Sequence, residues 1–382
     1  MDWRRSWAIV GILLAAALWL PGAATAQQPI KIGAILPLTG GFAYSGLSQM
    51  NAMKIAQEEI NAKGGVLGRK IMLLVEDGAC NPAQSVNAAE KLITRDKVVA
   101  LLGAFCSSAT GAVMEIARRY EIPLITGVST SPLLTEQGNK WFFRAQATSR
   151  LMARAVMDYM VKQHKIKTLA FLCSNNDWGR GVVKEYGDAI RGFGGRVLAE
   201  EYYAEPDTDF YSYLTKIKAL NPDAIAMAAD EQHGAGIMKQ IREVGIRAKL
   251  FGEGPWTTDA YLRIAGAASH GFMAVIEYIH LVEHPANKAF LAKYMERHKE
   301  NPTKYSAAGH TILNILVDGI RRAKSTDAGK LRDALEKTDY SGFTGTFRFD
   351  AKHQAYNFDI FIAEIRDGKP LVVGKTKIGK PS

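Results

Sequence analysis

The segment that decides the fold is residues 30–75, IKIGAILPLTGGFAYSGLSQMNAMKIAQEEINAKGGVLGRKIMLLV. It opens with an apolar run, Ile30 to Leu36, that predicts a buried strand. Apolar residues then recur at helical spacing, and this stripe stops at Gly64-Gly65, a pair that commonly ends a helix. A second apolar run, Ile71 to Val75, follows. The order of strand, helix and strand is typical of a parallel sheet covered by helices.

The same alternation continues along the chain. Asn81 and Pro82 predict the start of the second helix, because Asn suits the N-cap and Pro suits the first helical position. Strands are predicted at 98–102, 123–126, 141–144, 168–173, 197–203, 224–228, 249–252, 345–349 and 358–365. Helices are predicted between them, with two long ones at 287–299 and 307–323. This number of strands fits two doubly wound, Rossmann-like α/β lobes better than one sheet.

The N-terminus predicts export. Arg4 and Arg5 precede an apolar run from Trp7 to Leu20, and Ala24-Thr25-Ala26 has the pattern that signal peptidase cleaves. The apolar run is shorter than the roughly 20 residues that span a bilayer. No cysteine lies near the cleavage point to receive a lipid. We therefore predict a cleaved signal peptide, residues 1–26, and a soluble, unanchored protein of the periplasm.

The composition excludes several classes of protein. Hydrophobic residues make up 47% of the chain and charged residues 23%, as in a soluble globular protein rather than a disordered one. The formal net charge is +10. The Lys and Arg residues do not cluster, which disfavours binding to nucleic acid or an anionic membrane. The composition favours a monomer.

The three cysteines predict one disulfide. In an oxidising compartment one pair is expected to be bridged, which leaves a third thiol free. Cys173 ends a strand-like run, where a buried free thiol is the usual state. Cys80 and Cys106 each follow a predicted strand and can lie at the same edge of a parallel sheet. We predict the bridge between Cys80 and Cys106.

Catalytic and metal-binding motifs give no firm signal. Residues 280–284, HLVEH, match the spacing of a zinc peptidase helix, but Pro285 disfavours helical backbone at His284. The sequence has no G-x-S-x-G motif, no phosphate-binding loop and no G-x-G-x-x-G after a strand. We predict that the protein is not an enzyme and uses no cofactor or metal.

Two hydroxyl-rich stretches follow predicted strands: residues 103–111, GAFCSSATG, and residues 126–132, TGVSTSP. Doubly wound folds bind ligands at the carboxyl edge of the sheet. The first stretch also opens a helix, whose N-terminus suits a carboxylate. The same Ser and Thr residues serve just as well as plain helix caps. The residues alone leave both interpretations open.

Several motifs together resemble a known family: IGAILPLTGG from Ile32, EINAKGG at 59–65, DGACNP at 77–82, FCSS at 105–108 and DWGRG at 177–181. They resemble the leucine/isoleucine/valine-binding branch of the type I periplasmic binding proteins of ABC importers. The resemblance spans nearly all of the chain after residue 26. It implies two lobes, joined by a three-strand hinge, that close on the ligand. One lobe would hold residues 27–146 and 277–346, and the other residues 147–276 and 347–382.

The resemblance also implies a binding site. Ser107 and Thr130 match the groups that hold the ligand carboxylate, and the Val128 carbonyl faces the ammonium. Trp178 matches an aromatic lid. The positions of the predicted disulfide match one that family members share. The other residues expected against the apolar part of the ligand are Tyr44, Phe105, Tyr278 and Tyr305.

The chain departs from the family pattern at three positions. Asp230 stands where the branch has a Tyr; an Asp there can bind an α-ammonium, or it can cap the helix that follows. The Glu that contacts the ammonium in the branch has no clean match, because Glu253 lies one residue out of register. Ser45 occupies another aromatic position, with Tyr44 and Phe42 near enough to substitute.

We therefore predict a substrate-binding protein that captures a small amino acid, branched-chain or otherwise apolar, and delivers it to an inner-membrane ABC permease. One alternative is the same scaffold binding an aromatic or other organic acid without an amine. Others are a ligand-sensing module and, more remotely, an α/β enzyme. A cleft position for Asp230 would favour the amino acid, because an unpaired buried carboxylate is costly.

Overall fold

The computed structural model describes residues 27–380. The predicted signal peptide and its cleavage point lie outside the described residues. Across residues 27–380, no helix combines the length and apolar character needed to cross a bilayer.

The first part of the chain forms a five-stranded parallel sheet with the order β2-β1-β3-β4-β5. Its strands are β1 (Ile30–Leu36), β2 (Ile71–Asp77), β3 (Leu101–Leu102), β4 (Leu124–Thr126) and β5 (Phe142–Arg144). The helices between them are α1 (Ala43–Ala62), α2 (Pro82–Glu90), α3 (Ser107–Arg119) and α4 (Leu133–Glu136). Strand β1 is an inner strand, between β2 and β3, and its Ile30 and Ile32 are fully buried. The predicted buried strand is therefore confirmed.

The rest of the chain forms a nine-stranded sheet with the order β11-β12-β13-β10-β9-β8-β6-β7, and β14 pairs with β13. The strands are β6 (Thr168–Ser174), β7 (Arg196–Tyr203), β8 (Ala224–Ala228), β9 (Lys249–Glu253), β10 (Phe272–Ile276), β11 (Tyr340–Gly342), β12 (Gly345–Phe349), β13 (Ala355–Arg366) and β14 (Lys369–Ile378). The pairs from β6 to β10 are parallel, and those that involve β11 to β14 are antiparallel. Two sheets with α/β connections confirm the predicted fold class.

Eight helices belong to this second part of the described chain: α5 (Ser149–His164), α6 (Asp177–Gly192), α7 (Tyr211–Leu220), α8 (Glu231–Val244), α9 (Asp259–Ala265), α10 (Pro285–His298), α11 (Lys304–Ala323) and α12 (Ala328–Glu336). The sequence prediction lacked α4, α9, α12, β10, β11 and β14. Strand β10 is a run of five apolar residues, FMAVI, and a run of this length does not by itself distinguish a buried strand from a buried helical segment. The turn at Asp367-Gly368 joins β13 to β14, and both residues have positive φ, as a tight hairpin requires.

The two sheets are connected by segments that contact both. Helix α11 packs along α1 beside the five-stranded sheet, although it follows β10 of the nine-stranded one. Strand pairing places β11 and β12 in the nine-stranded sheet. The lobe boundaries implied by the resemblance, 27–146 with 277–346 and 147–276 with 347–382, stay a prediction.

The predicted disulfide is present. Cys80 and Cys106 are bonded to each other, and Cys173 is a buried free thiol. The bridge fastens the start of α3 to the turn that precedes α2. It therefore fixes the hydroxyl-rich stretch that follows β3.

Candidate functional site

A cavity opens at the carboxyl ends of β3, β4, β6 and β9, with about 470 Å³ of empty space between its walls and at its mouth. The loops that follow four strands, from two sheets, thus meet at one cavity. Doubly wound folds bind ligands at the carboxyl ends of their strands in this way. The wall contains seven of the predicted site residues: Phe105, Ser107, Val128, Thr130, Trp178, Glu253 and Tyr305. It also contains Phe42, Asn176 and Lys304.

One end of the cavity suits an anion. Helix α3 starts at Ser107, and its N-cap residue, Cys106, makes no side-chain cap hydrogen bond. The positive end of a 13-residue helix therefore meets the cavity. The Ser107 Oγ accepts a hydrogen bond from the Ser131 N–H (3.3 Å), which leaves the Ser107 O–H available as a donor. Ser107 is the first helical residue rather than the N-cap, so the plain capping interpretation does not apply to it.

Arg144 fixes the loop after β4 by hydrogen bonds to its backbone. This guanidinium is fully buried and donates to the carbonyls of Ser131 (2.5 Å) and Ser129 (3.4 Å). The Ser129 Oγ in turn donates to the Phe105 carbonyl (2.7 Å). The two hydroxyl-rich stretches are therefore bonded to each other. Val128 and Thr130, which line the cavity, stand on a fixed loop.

Glu253, the last residue of β9, is the central acidic group of the cavity. Its Oε2 accepts hydrogen bonds from Thr130 Oγ1 (3.2 Å), Ser149 Oγ (3.0 Å) and Trp178 Nε1 (3.2 Å). Its Oε1 is buried without a hydrogen-bond partner, although the Tyr186 hydroxyl lies nearby. Burial raises the pKa of Glu253, and the charge of Lys304 opposes this rise. Glu253, which lies one residue out of register with the family pattern, is thus inside the cavity.

Two further carboxylates lie close to the same lysine. The Lys304 Nζ is 3.8 Å from Glu277 Oε2, beyond hydrogen-bond distance. Burial raises the pKa of Glu277, the charge of Lys304 opposes this rise, and neither carboxylate oxygen has a hydrogen-bond partner among residues 27–380. Burial also raises the pKa of Glu231 to about 7. Three buried carboxylates with one lysine make this region of the cleft favourable for a cation.

Aromatic rings form the apolar wall. Phe42 packs against Phe105 and Trp178 with ring centroids 5.7 and 5.9 Å apart. Phe105 also stacks on Tyr305 at 5.0 Å. Of the two aromatic residues expected near Ser45, Phe42 lines the cavity.

The structure does not bring three expected residues into the cavity. Asp230 caps α8: its Oδ1 accepts from the N–H groups of Gln232 and His233, and its Oδ2 lies 2.6 Å from His233 Nδ1. Both carboxylate oxygens are thus used locally, so the expected contact with an ammonium is corrected to a capping role. The Tyr44 hydroxyl instead donates to Glu300 (2.8 Å).

Tyr278 is also displaced from the expected position. Its hydroxyl donates to Asn287 Oδ1 (2.7 Å), and its ring lines a second, smaller cavity on the other side of Lys304. Sequence reasoning missed Asn176 and Lys304. Asn176 had a signal, because it caps α6 directly before the DWGRG motif, whereas nothing around Lys304 distinguished it from a surface lysine.

The residues that the structure describes include no group of three or more His, Cys, Asp or Glu side chains arranged to hold a metal ion. His284 of the HLVEH stretch caps α10 by accepting from the Ala286 N–H. This stretch therefore precedes the helix and does not form a two-histidine helical face.

Several proteins match this chain over nearly all of its length. The leucine-, isoleucine-, valine-, threonine- and alanine-binding protein of Pseudomonas aeruginosa is 27% identical over 354 residues, which cover 92% of this chain and 94% of the relative. A Leu/Ile/Val-binding protein homolog of Brucella suis is 24% identical, with 95% of each chain covered.

Solved structures agree with this. The branched-chain amino acid transporter substrate-binding protein LivJ of Streptococcus pneumoniae, in complex with isoleucine, superposes with a TM-score of 0.84 at 26% identity and covers 93% of this chain and 100% of its own. A solute-binding protein of an ABC transporter from R. palustris, in complex with benzoate, has the same fold, with a TM-score of 0.83, 23% identity and coverage of 92% and 97%. Residues 29–370 match the model of the periplasmic binding protein family. Because this match extends over nearly all of the described chain, the protein belongs to the periplasmic binding protein family.

Proposed function

We propose that this protein is the substrate-binding component of an ABC importer and that it captures a small α-amino acid of the branched-chain or similar apolar class. After export and removal of residues 1–26, it would deliver the ligand to an inner-membrane permease. The observation that supports this most is Glu253: a buried carboxylate with an unpartnered oxygen, in a cavity that also contains the N-terminus of α3.

The two ends of the cavity match the two charges of an amino acid. The ligand carboxylate would accept hydrogen bonds from Ser107 and the first N–H groups of α3, where the helix dipole favours negative charge, and from Thr130 once its hydroxyl turns from Glu253 to the ligand. The ligand ammonium would donate to Glu253 and to the Val128 carbonyl, a charge-assisted arrangement. The side chain would lie against the rings of Phe42, Phe105, Trp178 and Tyr305.

Charge favours a ligand that has an amine. Glu253 and Glu277 are buried near one cation, Lys304. An ammonium compensates part of this negative charge, whereas an amine-free acid would leave Glu253 without a counter-charge. Relatives named for the amino acids that they bind, at 26–27% identity over more than nine-tenths of this chain, support the same class.

The test compares ligands that differ only in the amine. We expect leucine, isoleucine or valine to raise the unfolding temperature of the mature protein, and 4-methylpentanoate, which is leucine without its amine, to have little effect. Glu253→Gln should weaken leucine binding at least about 10-fold in calorimetry, because the buried counter-charge is lost. Glu283→Gln, whose side chain is 85% exposed, is the matched control.

The pH dependence of binding gives an independent check. Because burial raises the pKa of Glu253 above its ordinary value of 4.5, the carboxyl takes up a proton as pH falls from neutrality and then no longer attracts the ammonium. Leucine affinity should therefore fall at acid pH in the wild type and change much less in Glu253→Gln. An affinity that is equal in both proteins at every pH would remove Glu253 from the site.

The aromatic wall supports a second candidate, an aromatic acid without an amine. Four rings around one cavity suit a flat ligand such as benzoate. Benzoate belongs in the same screen. Tight binding of benzoate together with no binding of any α-amino acid would replace the first proposal by this one.

A further inference from the structure

Arg144 is a buried cation whose described partners are all neutral. It ends β5, and its side chain is fully buried. Besides the two carbonyls of the loop after β4, it donates to Thr135 Oγ1 (2.5 Å) and Gln354 Oε1 (2.6 Å). Glu136 and Asp350 act on it only through longer-range charge, and burial lowers its pKa to about 9. A buried guanidinium of this kind is stabilised by any negative charge that enters its surroundings.

The anion-binding end of the cavity is one bonded step away from Arg144. The guanidinium donates a hydrogen bond to the Ser131 carbonyl, and the Ser131 N–H donates one to the Ser107 Oγ. Thr130 lies between the two carbonyls that Arg144 binds, Ser129 and Ser131. The same side chain thus fixes the backbone on both sides of Thr130, including the residue whose N–H bonds to the Ser107 Oγ.

Arg144 also contacts the segments that pass between the two sheets. Its backbone N–H donates to the His353 carbonyl (3.0 Å). Its partner Gln354 donates through Nε2 to the Gln146 carbonyl (2.6 Å) and the Ala355 carbonyl (2.9 Å). One guanidinium therefore connects the loop of the candidate site to the segments around residues 146 and 354.

We propose that Arg144 is a positioning residue for the ligand carboxylate: it fixes the loop that presents Thr130 and Ser131 and supplies the positive charge that the bound carboxylate neutralises. This inference rests on the proposed function, because it requires a ligand with a carboxylate at Ser107. A residue with only a structural role would affect all ligands alike. A residue that acts on the carboxylate discriminates ligands that have it from ligands that lack it.

The experiment compares leucine with leucinamide, in which the carboxylate is replaced by a neutral amide. We expect Arg144→Met to weaken leucine at least about 10-fold and leucinamide less than about 3-fold, so that the ratio of the two affinities falls. Arg144→Lys, which keeps the charge, should retain most of the wild-type ratio. An equal loss for both ligands, or an unchanged ratio in Arg144→Met, would overturn the proposal.

Two measurements keep the test decisive. Circular dichroism and urea unfolding of each ligand-free variant show whether it is folded. If Arg144→Met does not fold, Gln354→Met replaces it in the test, because this variant removes one neutral partner of Arg144 and keeps the charge. We expect its ratio of leucine to leucinamide affinity to stay within about 3-fold of the wild-type ratio. A larger fall would contradict the charge-based role. If wild-type protein binds neither leucine nor leucinamide and binds benzoate, the proposed amino-acid function fails first, and a fall in benzoate affinity in Arg144→Met would still support the carboxylate role.

Discussion

Glu231 gives the sharpest stability prediction. It is the first residue of α8 and is 3% exposed. Its Oε1 accepts a hydrogen bond from Ser45 Oγ on α1, and its Oε2 is buried without a partner. Burial raises the pKa of this carboxyl from 4.5 to about 7. The folded protein therefore holds a proton on Glu231 at pH values where the unfolded chain has released it.

This difference fixes the sign of the pH dependence. Between about pH 4.5 and pH 7 the native state binds one more proton at Glu231 than the unfolded state, so the free energy of unfolding decreases as pH rises. Each pKa unit corresponds to 1.36 kcal/mol, which gives a loss of roughly 3 kcal/mol across the whole window. Glu231→Gln keeps the shape and an acceptor for Ser45 but cannot ionise, so it avoids this loss.

Urea unfolding, followed by tryptophan fluorescence at pH 5, 6, 7 and 8, measures the effect. We expect the stability of Glu231→Gln, relative to wild type, to increase by roughly 2 to 3 kcal/mol between pH 5 and pH 8. Glu283→Gln, at an exposed position, should show no such trend. A difference between wild type and Glu231→Gln that is the same at all four pH values, or that shrinks as pH rises, would refute the reasoning.

Two further predictions concern stability. Reduction of the Cys80–Cys106 bond, or replacement of both cysteines by Ala, should lower the free energy of unfolding by about 3 to 4 kcal/mol, because the bridge closes a loop with a sequence separation of 26; equal urea midpoints with and without reductant would contradict this. Gly46→Ala should destabilise by about 1 to 3 kcal/mol, because a Cβ there overlaps the Pro37 carbonyl. Gly181→Ala, with open space around the new methyl, should be neutral or slightly stabilising. Thermal melts of both variants measure the difference, and similar losses of stability in the two would reject the steric argument.

Much of the fold was predictable because strands and helices are specified by local periodicity. Strand β1 is an apolar run interrupted only by Lys31, and the pair Gly64-Gly65 ends the helical stripe that follows it. Short elements were missed for the converse reason. Strand β10 has five residues and gains its identity from pairing with β9 and β13, which lie far from each other in the sequence.

The candidate site was predictable where the backbone places the side chain. Ser107 and Thr130 follow β3 and β4 at the carboxyl edge of the sheet, and strand order alone brings them together. Asp230 follows β8 in the same way, yet its carboxylate is taken by α8 and His233. Which donors the Asp230 carboxylate contacts depends on the directions of the side chains around it. The spacing of residues in the sequence does not specify those directions.

The sequence by itself determined the α/β class, the order of most strands, the Cys80–Cys106 bridge and the resemblance to a family, because each depends on residues near one another or on the ends of consecutive strands. Only the tertiary structure decided that Glu253 lies in the cavity, that Lys304 lies among three carboxylates, and that Arg144 stands behind the loop at Ser131. These facts concern the burial of charge. Burial is a property of the whole packed molecule, since the desolvation of one group is set by elements that are distant in the chain.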